Sequence, residues 1–124
     1  MVFPQFDSYT CYGDSIRWSK GGFDFTATIV RDEDEKPENS DCYSAKNIAA
    51  WKNDEWFFVG VVLAVSKNGV ELSDHAASLW GIDCNFPSRK KNPNLYLSEV
   101  AQELEGEALD VAKKRQAEIL KALA

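Results

Sequence analysis

Two stretches of the chain alternate apolar and polar residues with the period of a half-buried strand. Ile16 and Trp18 alternate with Ser15, Arg17 and Ser19. After Gly21-Gly22, the residues Phe23, Phe25, Ala27 and Ile29 alternate with Asp24, Thr26 and Thr28. The two glycines supply the positive φ of a tight turn, so this pair reads as a hairpin. From Trp56 to Ser66 the apolar residues occupy both parities and are rich in Val, which predicts a central strand covered on both faces. Asn68-Gly69 predicts a type I′ turn, with Val70-Glu71-Leu72 returning beside the central strand. The pattern breaks at Asp74-His75 and resumes over Ala77 to Ile82 as a further strand or a bulged continuation, followed by a loop over 83–94. Between the hairpins, Ser44 is placed to cap a short helix with Ala45, Ile48 and Trp51 on one face, ended by Asn53-Asp54. From Asn94 the period becomes helical, and Leu97, Ala101, Leu104, Ala108, Val111, Ala112 and Ile119 form one stripe. Gly106, costing about 1 kcal/mol against Ala, marks a bend or break.

These elements predict an α+β fold: one domain over 1–124, with an antiparallel sheet of four to five strands built from two hairpins in the order ββ-α-βββ. The helix of 94–124 packs on one face. Residues 1–13 form an irregular arm, and residues 32–41 form a polar loop with no apolar residue to bury except the Pro37 ring. Phe57 and Phe58 are adjacent in a strand and point to opposite faces. One lies under the long helix. The other is core if the short helix and the arm cover it, and otherwise part of an exposed apolar patch of the kind that marks interfaces.

With 124 residues, including four Trp, four Tyr and seven Phe, the chain can bury a core without metal or disulfide staples. Twenty acids against 14 bases give a net charge of −6, with most of the excess in residues 1–60. That balance opposes direct binding to nucleic acid or to anionic membranes, and suits a protein partner with a basic surface. No apolar run is long enough to span a bilayer, and Met1-Val2-Phe3-Pro4-Gln5 lacks the pattern of a secretory signal. The three Cys are widely spaced, as expected of reduced thiols in a cytoplasm.

Candidate chemistry is sparse. Asp32, Glu33, Asp34 and Glu35 fail the calcium-loop template: counted from Asp32, positions six and twelve are Pro37 and Tyr43 where Gly and Glu are required. Together with Glu38 and Asp41 they are instead the candidate partner-binding surface. Gly21-Gly22 precedes a strand, so it is no phosphate cradle, and no Cys pair has zinc-site spacing. No cofactor, metal or catalytic site is expected. Asp74, His75 and Ser78 have the composition of a triad, but near neighbours in a strand do not usually point at one another. The alternative reading is a small enzyme or ligand binder that brings His75 to Cys84. A further alternative is a structural protein that assembles as a homodimer or larger oligomer. Ser88-Arg89-Lys90-Lys91 reads as a solvated loop.

The run from Trp51 to Leu72, the segment Ser78-Leu79-Trp80-Gly81-Ile82, and the segment from Tyr96 to Leu104 resemble small uncharacterised proteins encoded by phages and integrated mobile elements. The resemblance covers about the last two thirds, and its motifs are structural: a hairpin, a strand and an amphipathic helix. It implies a context in which small acidic domains act by binding, including inhibitors of host defences such as CRISPR or restriction systems. The expected function is therefore a non-enzymatic accessory factor in the host cytoplasm, acting through the acidic loop of 32–41 or the acidic first half of the last helix.

Overall fold

The alternating segments form the first hairpin, β1 (Ser15–Lys20) and β2 (Phe23–Arg31), turned at Gly21 and Gly22, both at positive φ. The computed structural model describes residues 3–87 and 92–124. The second hairpin pairs β3 (Phe57–Lys67) with β4 (Val70–Cys84), and Asn68 and Gly69 have φ of 52° and 78°. Both central residues at positive φ give the twist that joins antiparallel strands over a two-residue turn. The four strands are antiparallel in the order β1-β2-β3-β4.

The expected fifth strand does not form separately. Asp74 and His75 lie inside β4, and Ala77 to Ile82 continue it, so the observed order is ββ-α-ββ followed by the long helix. The period-two pattern breaks because register shifts separate Val59 from Val61, Leu63 from Val65, and Val65 from Ser66 along β3. One extra β4 residue at the first and third of these shifts, and two at the second, interrupt the alternation without ending the strand.

Ser44 caps α1 (Ala45–Lys52) through its hydroxyl, which accepts the Asn47 N–H at 3.2 Å. The long helix is α2 (Leu95–Leu123), unbroken through Gly106 and about 43 Å long at 1.5 Å per residue. It buries Leu97, Val100, Ala101, Ala108 and Ala112. Val111, expected in that stripe, is 39% exposed, and Val100 is buried instead. The three alanines let the helix axis sit close over β3 and β4. Beneath it lie Val59, Val61, Leu63 and Val65 of β3, with Phe25, Ala27 and Ile29 of β2 beside them. Each of the larger side chains among them contributes roughly 1.5–3 kcal/mol by leaving water. At the β1 edge, Trp18 stacks on Phe25, and the Glu105 carboxylate of α2 accepts its indole N–H at 2.6 Å and pairs with Lys20 at 3.0 Å.

The arm is irregular, as expected, but it lies against the start of α2. Phe6 is buried, and its N–H donates to the Ser98 hydroxyl at 2.9 Å. The arm is tied down by two asparagines. Asn94, fully buried, donates its amide to Asp7 O, Ser8 O and Asn85 Oδ1, and accepts the Asn85 N–H at 2.7 Å. Asn85 in turn exchanges two hydrogen bonds with the Thr10 backbone. Every member is satisfied, so a buried polar cluster that would otherwise be costly becomes a rigid joint.

Among the described residues, the other face of the sheet is covered only at one corner. Phe58 and Trp56 pack with Tyr43 and Phe86, ring centroids 4.9–5.9 Å apart. Trp56 also donates its indole N–H to Asn47 O at 2.8 Å. The aromatic group is therefore core. It is closed by the loop before α1 and the segment after β4; the arm, expected to help there, is engaged elsewhere.

Within the open part of this face, Trp80 lies over Gly60: a Cβ at residue 60 would come within 2.3 Å of Trp80 Cε3. Gly60→Ala is expected to lower stability by about 1–3 kcal/mol, measured by urea unfolding. The loss should shrink in a Trp80→Ala background, since the two changes share one contact. Asn94→Ala strands the Asn85 N–H and the Asp7 and Ser8 carbonyls. It should cost about 1–3 kcal/mol and open residues 3–13 to limited proteolysis.

Candidate functional site

The acidic loop leaves the sheet where β2 ends. The Asp32 N–H donates to Phe58 O at 2.9 Å, which extends the β2–β3 ladder by one bond. The Asp32 side chain then reaches across β3 to β4. One oxygen accepts the Gly81 N–H at 3.0 Å, and the other accepts the Asp34 N–H at 3.1 Å. Gly81, at φ 74°, is the second residue of the bulge opposite Gly60, and the bulge frees its N–H from the ladder. Farther along, Pro37 opens a short 3-10 turn (Pro37–Asn39) and buries its ring, which pins the middle of the loop.

The six carboxylates singled out in the sequence therefore divide. Asp32 is a half-buried structural link. Glu35 accepts from the Lys36 N–H at 3.1 Å and from Asn39 Nδ2 at 3.3 Å. Glu38 lies 4.0 Å from Lys52 of α1. Among the described residues, no hydrogen bond or ion pair engages the carboxylates of Glu33, Asp34 or Asp41, all exposed. These three are available to a partner.

The residue that sequence reasoning missed is Trp80. Its ring rests on Gly60, its indole N–H donates to Ser78 Oγ at 3.1 Å, and 43% of the residue stays exposed. Arg31, Asp32, Glu33, Asp34 and Trp80 line a surface concavity of about 570 Å³. Arg31 leans away from the acids: its guanidinium is 3.8 Å from Asp54 and 5.6 Å from the centroid of the Tyr12 ring. One signal was present in the sequence. A glycine inside a Val-rich strand marks a bulge or a close approach, and Gly60 marks both.

His75 and Ser78 do meet, against expectation. Ser78 Oγ is 2.8 Å from His75 Nε2, because the bulged register of β4 brings the two side chains to one side. Both lie on the exposed outer strand. His75 and Cys84 do not meet. They are nine positions apart on one strand, on the order of 25 Å at the strand rise. Cys84 is buried, with its sulfur 4.0 Å from Thr10 O. Burial, reinforced by Cys11, Asp83 and Asp14, pushes its thiol up to about 12, so it stays protonated and poorly nucleophilic at neutral pH. The His75–Cys84 form of the enzyme reading is thereby removed. Among the described residues, no group of three or more His, Cys, Asp or Glu is gathered to hold a metal ion, and no helix is long and apolar enough to cross a membrane. The segment Ser88 to Lys91 lies outside the described residues. Compared with known proteins, the chain matches no family model, no curated protein and no solved structure.

The state of Cys84 has a measurable consequence. Its folded pKa of about 12 exceeds the ordinary value of 9.0, so the unfolded chain gives up the proton first as pH rises. The stabilisation is complete below pH 9 and is lost between pH 9 and 12, by up to roughly 1.4 kcal/mol per pH unit. Urea unfolding across that range should show a falling stability that flattens in Cys84→Ala. Thiol reagents at pH 8 should label exposed Cys11 and Cys42 in the native protein, and Cys84 only after unfolding.

Proposed function

We propose that this chain is a non-enzymatic protein-binding factor of a phage or integrated mobile element, which inhibits a host defence complex in the host cytoplasm. The observation that carries the reading is the state of Glu33, Asp34 and Asp41: exposed, unpaired among the described residues, and held on a loop anchored at Asp32 and Pro37. Exposed negative charges on an anchored loop attract a basic surface before contact, speed encounter and repel acidic competitors. The attraction fades over about 8 Å at physiological salt, so it acts on a partner already near. The phage-protein resemblance of residues 51–104 supports the setting.

The structure changes which acids should be tested. Replacing Asp32 or Glu35 would confuse loss of a contact with loss of the loop's own hydrogen bonds. The informative variant changes Glu33, Asp34 and Asp41 together to Ser. Expression of the wild-type chain in hosts carrying active CRISPR or restriction systems should raise plaque formation by a targeted phage towards that on an undefended host. The triple variant, with an unchanged melting temperature, should lose most of this effect. If no defence system in the panel is blunted, or the triple variant is as active as the wild type, the proposal is wrong.

A further inference from the structure

We infer that the concavity between the acidic loop and Trp80 receives an arginine side chain presented by the partner protein, with its guanidinium against the indole and its N–H groups on the carboxylates of Glu33 and Asp34. This rests on the protein-binding reading above and names the chemistry of the contact.

Three features of the surface point to that occupant. The first is how Trp80 is held. The indole lies against Gly60 and is hydrogen-bonded to Ser78, which gives it a defined seat while 43% of the residue stays exposed. A large aromatic side chain already ordered in the free protein loses little rotamer entropy on binding, which is the property of an interface anchor.

The second feature is charge. An aromatic ring attracts a cation through its quadrupole, and the neighbouring walls are acidic. An apolar side chain would bury carboxylates without partners, and an acidic one would be repelled. Asp32 already accepts two backbone N–H groups, so the oxygens left for an occupant are those of Glu33 and Asp34. Arg31, the one base of the wall among the described residues, is directed to Asp54 and Tyr12, and no described base pairs with Glu33 or Asp34.

The third feature is shape. A concavity lined by both an indole and acidic residues suits a planar group that stacks and donates several hydrogen bonds at once. The guanidinium does both; an ammonium, a hydrated point charge, does neither as well.

The test uses the full chain and short Gly-Ser peptides carrying one central Arg, Lys or citrulline. Binding is followed by the Trp80 indole N–H resonance, assigned by its loss in Trp80→Leu, and by the Gly81 amide. The Arg peptide should shift both signals, the Lys peptide should bind more weakly, and the neutral citrulline peptide should leave them in place. Added salt should weaken the Arg interaction. Glu33→Gln with Asp34→Asn, and separately Trp80→Leu, should each raise the apparent Kd by roughly 3- to 30-fold. Leu keeps apolar cover over Gly60, and an unchanged melting temperature shows that the fold persists. Citrulline shifts equal to those of Arg, Lys binding equal to Arg, or no response at Trp80 would each overturn the assignment. The plaque assay separates the two proposals. If Trp80→Leu stays folded and still blunts defence, this site falls and the function stands. If the Arg peptide binds at Trp80 but no defence is blunted, the function falls and the site stands.

Discussion

Two residues of β4, Trp80 and Gly81, stand opposite the single residue Gly60 of β3, and the exposed surface is organised by that mismatch. The bulge turns the Gly81 N–H out of the ladder, where an unpaired donor would cost about 1–3 kcal/mol if buried. Asp32 accepts it, and so the start of the acidic loop is tied to the outer strand. The same mismatch lays Trp80 across β3, and only a residue without a side chain can lie beneath it. One irregularity in strand pairing thus fixes a loop on one side and an indole on the other.

The two faces of the sheet are finished differently. On one, α2 covers the inner residues of β2, β3 and β4, and Glu105 reaches the far edge to hold Trp18 and Lys20. The Asn85–Asn94 cluster joins the arm, the end of β4 and the start of α2 without using apolar area. On the other face, the aromatic corner around Trp56 and Phe58 closes one end. The rest carries Arg17, Ser19, Asp24, Thr26 and Ser66, with Val30, Val62 and Ala64 part-exposed among them. Trp80, 43% exposed, adds a large aromatic ring to this mixed surface.

What could be read from the sequence was what depends on local conformation. Gly21-Gly22, Asn68-Gly69 and Ser44 act through their own φ angles or through a hydrogen bond three residues away, so their turns and cap are where the pattern placed them. The continuity of β4 was hidden, since a bulge breaks the alternation as an end of strand would. The division of the acidic loop was hidden for a different reason. Asp32 and Asp34 are chemically the same, and only the approach of Gly81, 49 residues away, makes one structural and leaves the other free. Asn85 and Asn94 read as loop residues because their shared partner, the arm, is remote in sequence.

Unpaired surface acids alone would be a weak sign of function. Exposed ion pairs contribute only about 0–1 kcal/mol, so a protein loses little by leaving Glu33 and Asp34 without bases. The indole is harder to dismiss on the same terms. Holding a large ring against one seat while 43% of the residue stays exposed forfeits side-chain entropy without the full return from burial. The seat at Gly60 adds the cost of glycine in a strand interior, where it offers no side chain to pack. Three residues, Gly60, Ser78 and Trp80, are thus spent on an arrangement that burial alone does not favour. The acids acquire significance by lying beside it, because a partner that covers the ring must also bring positive charge.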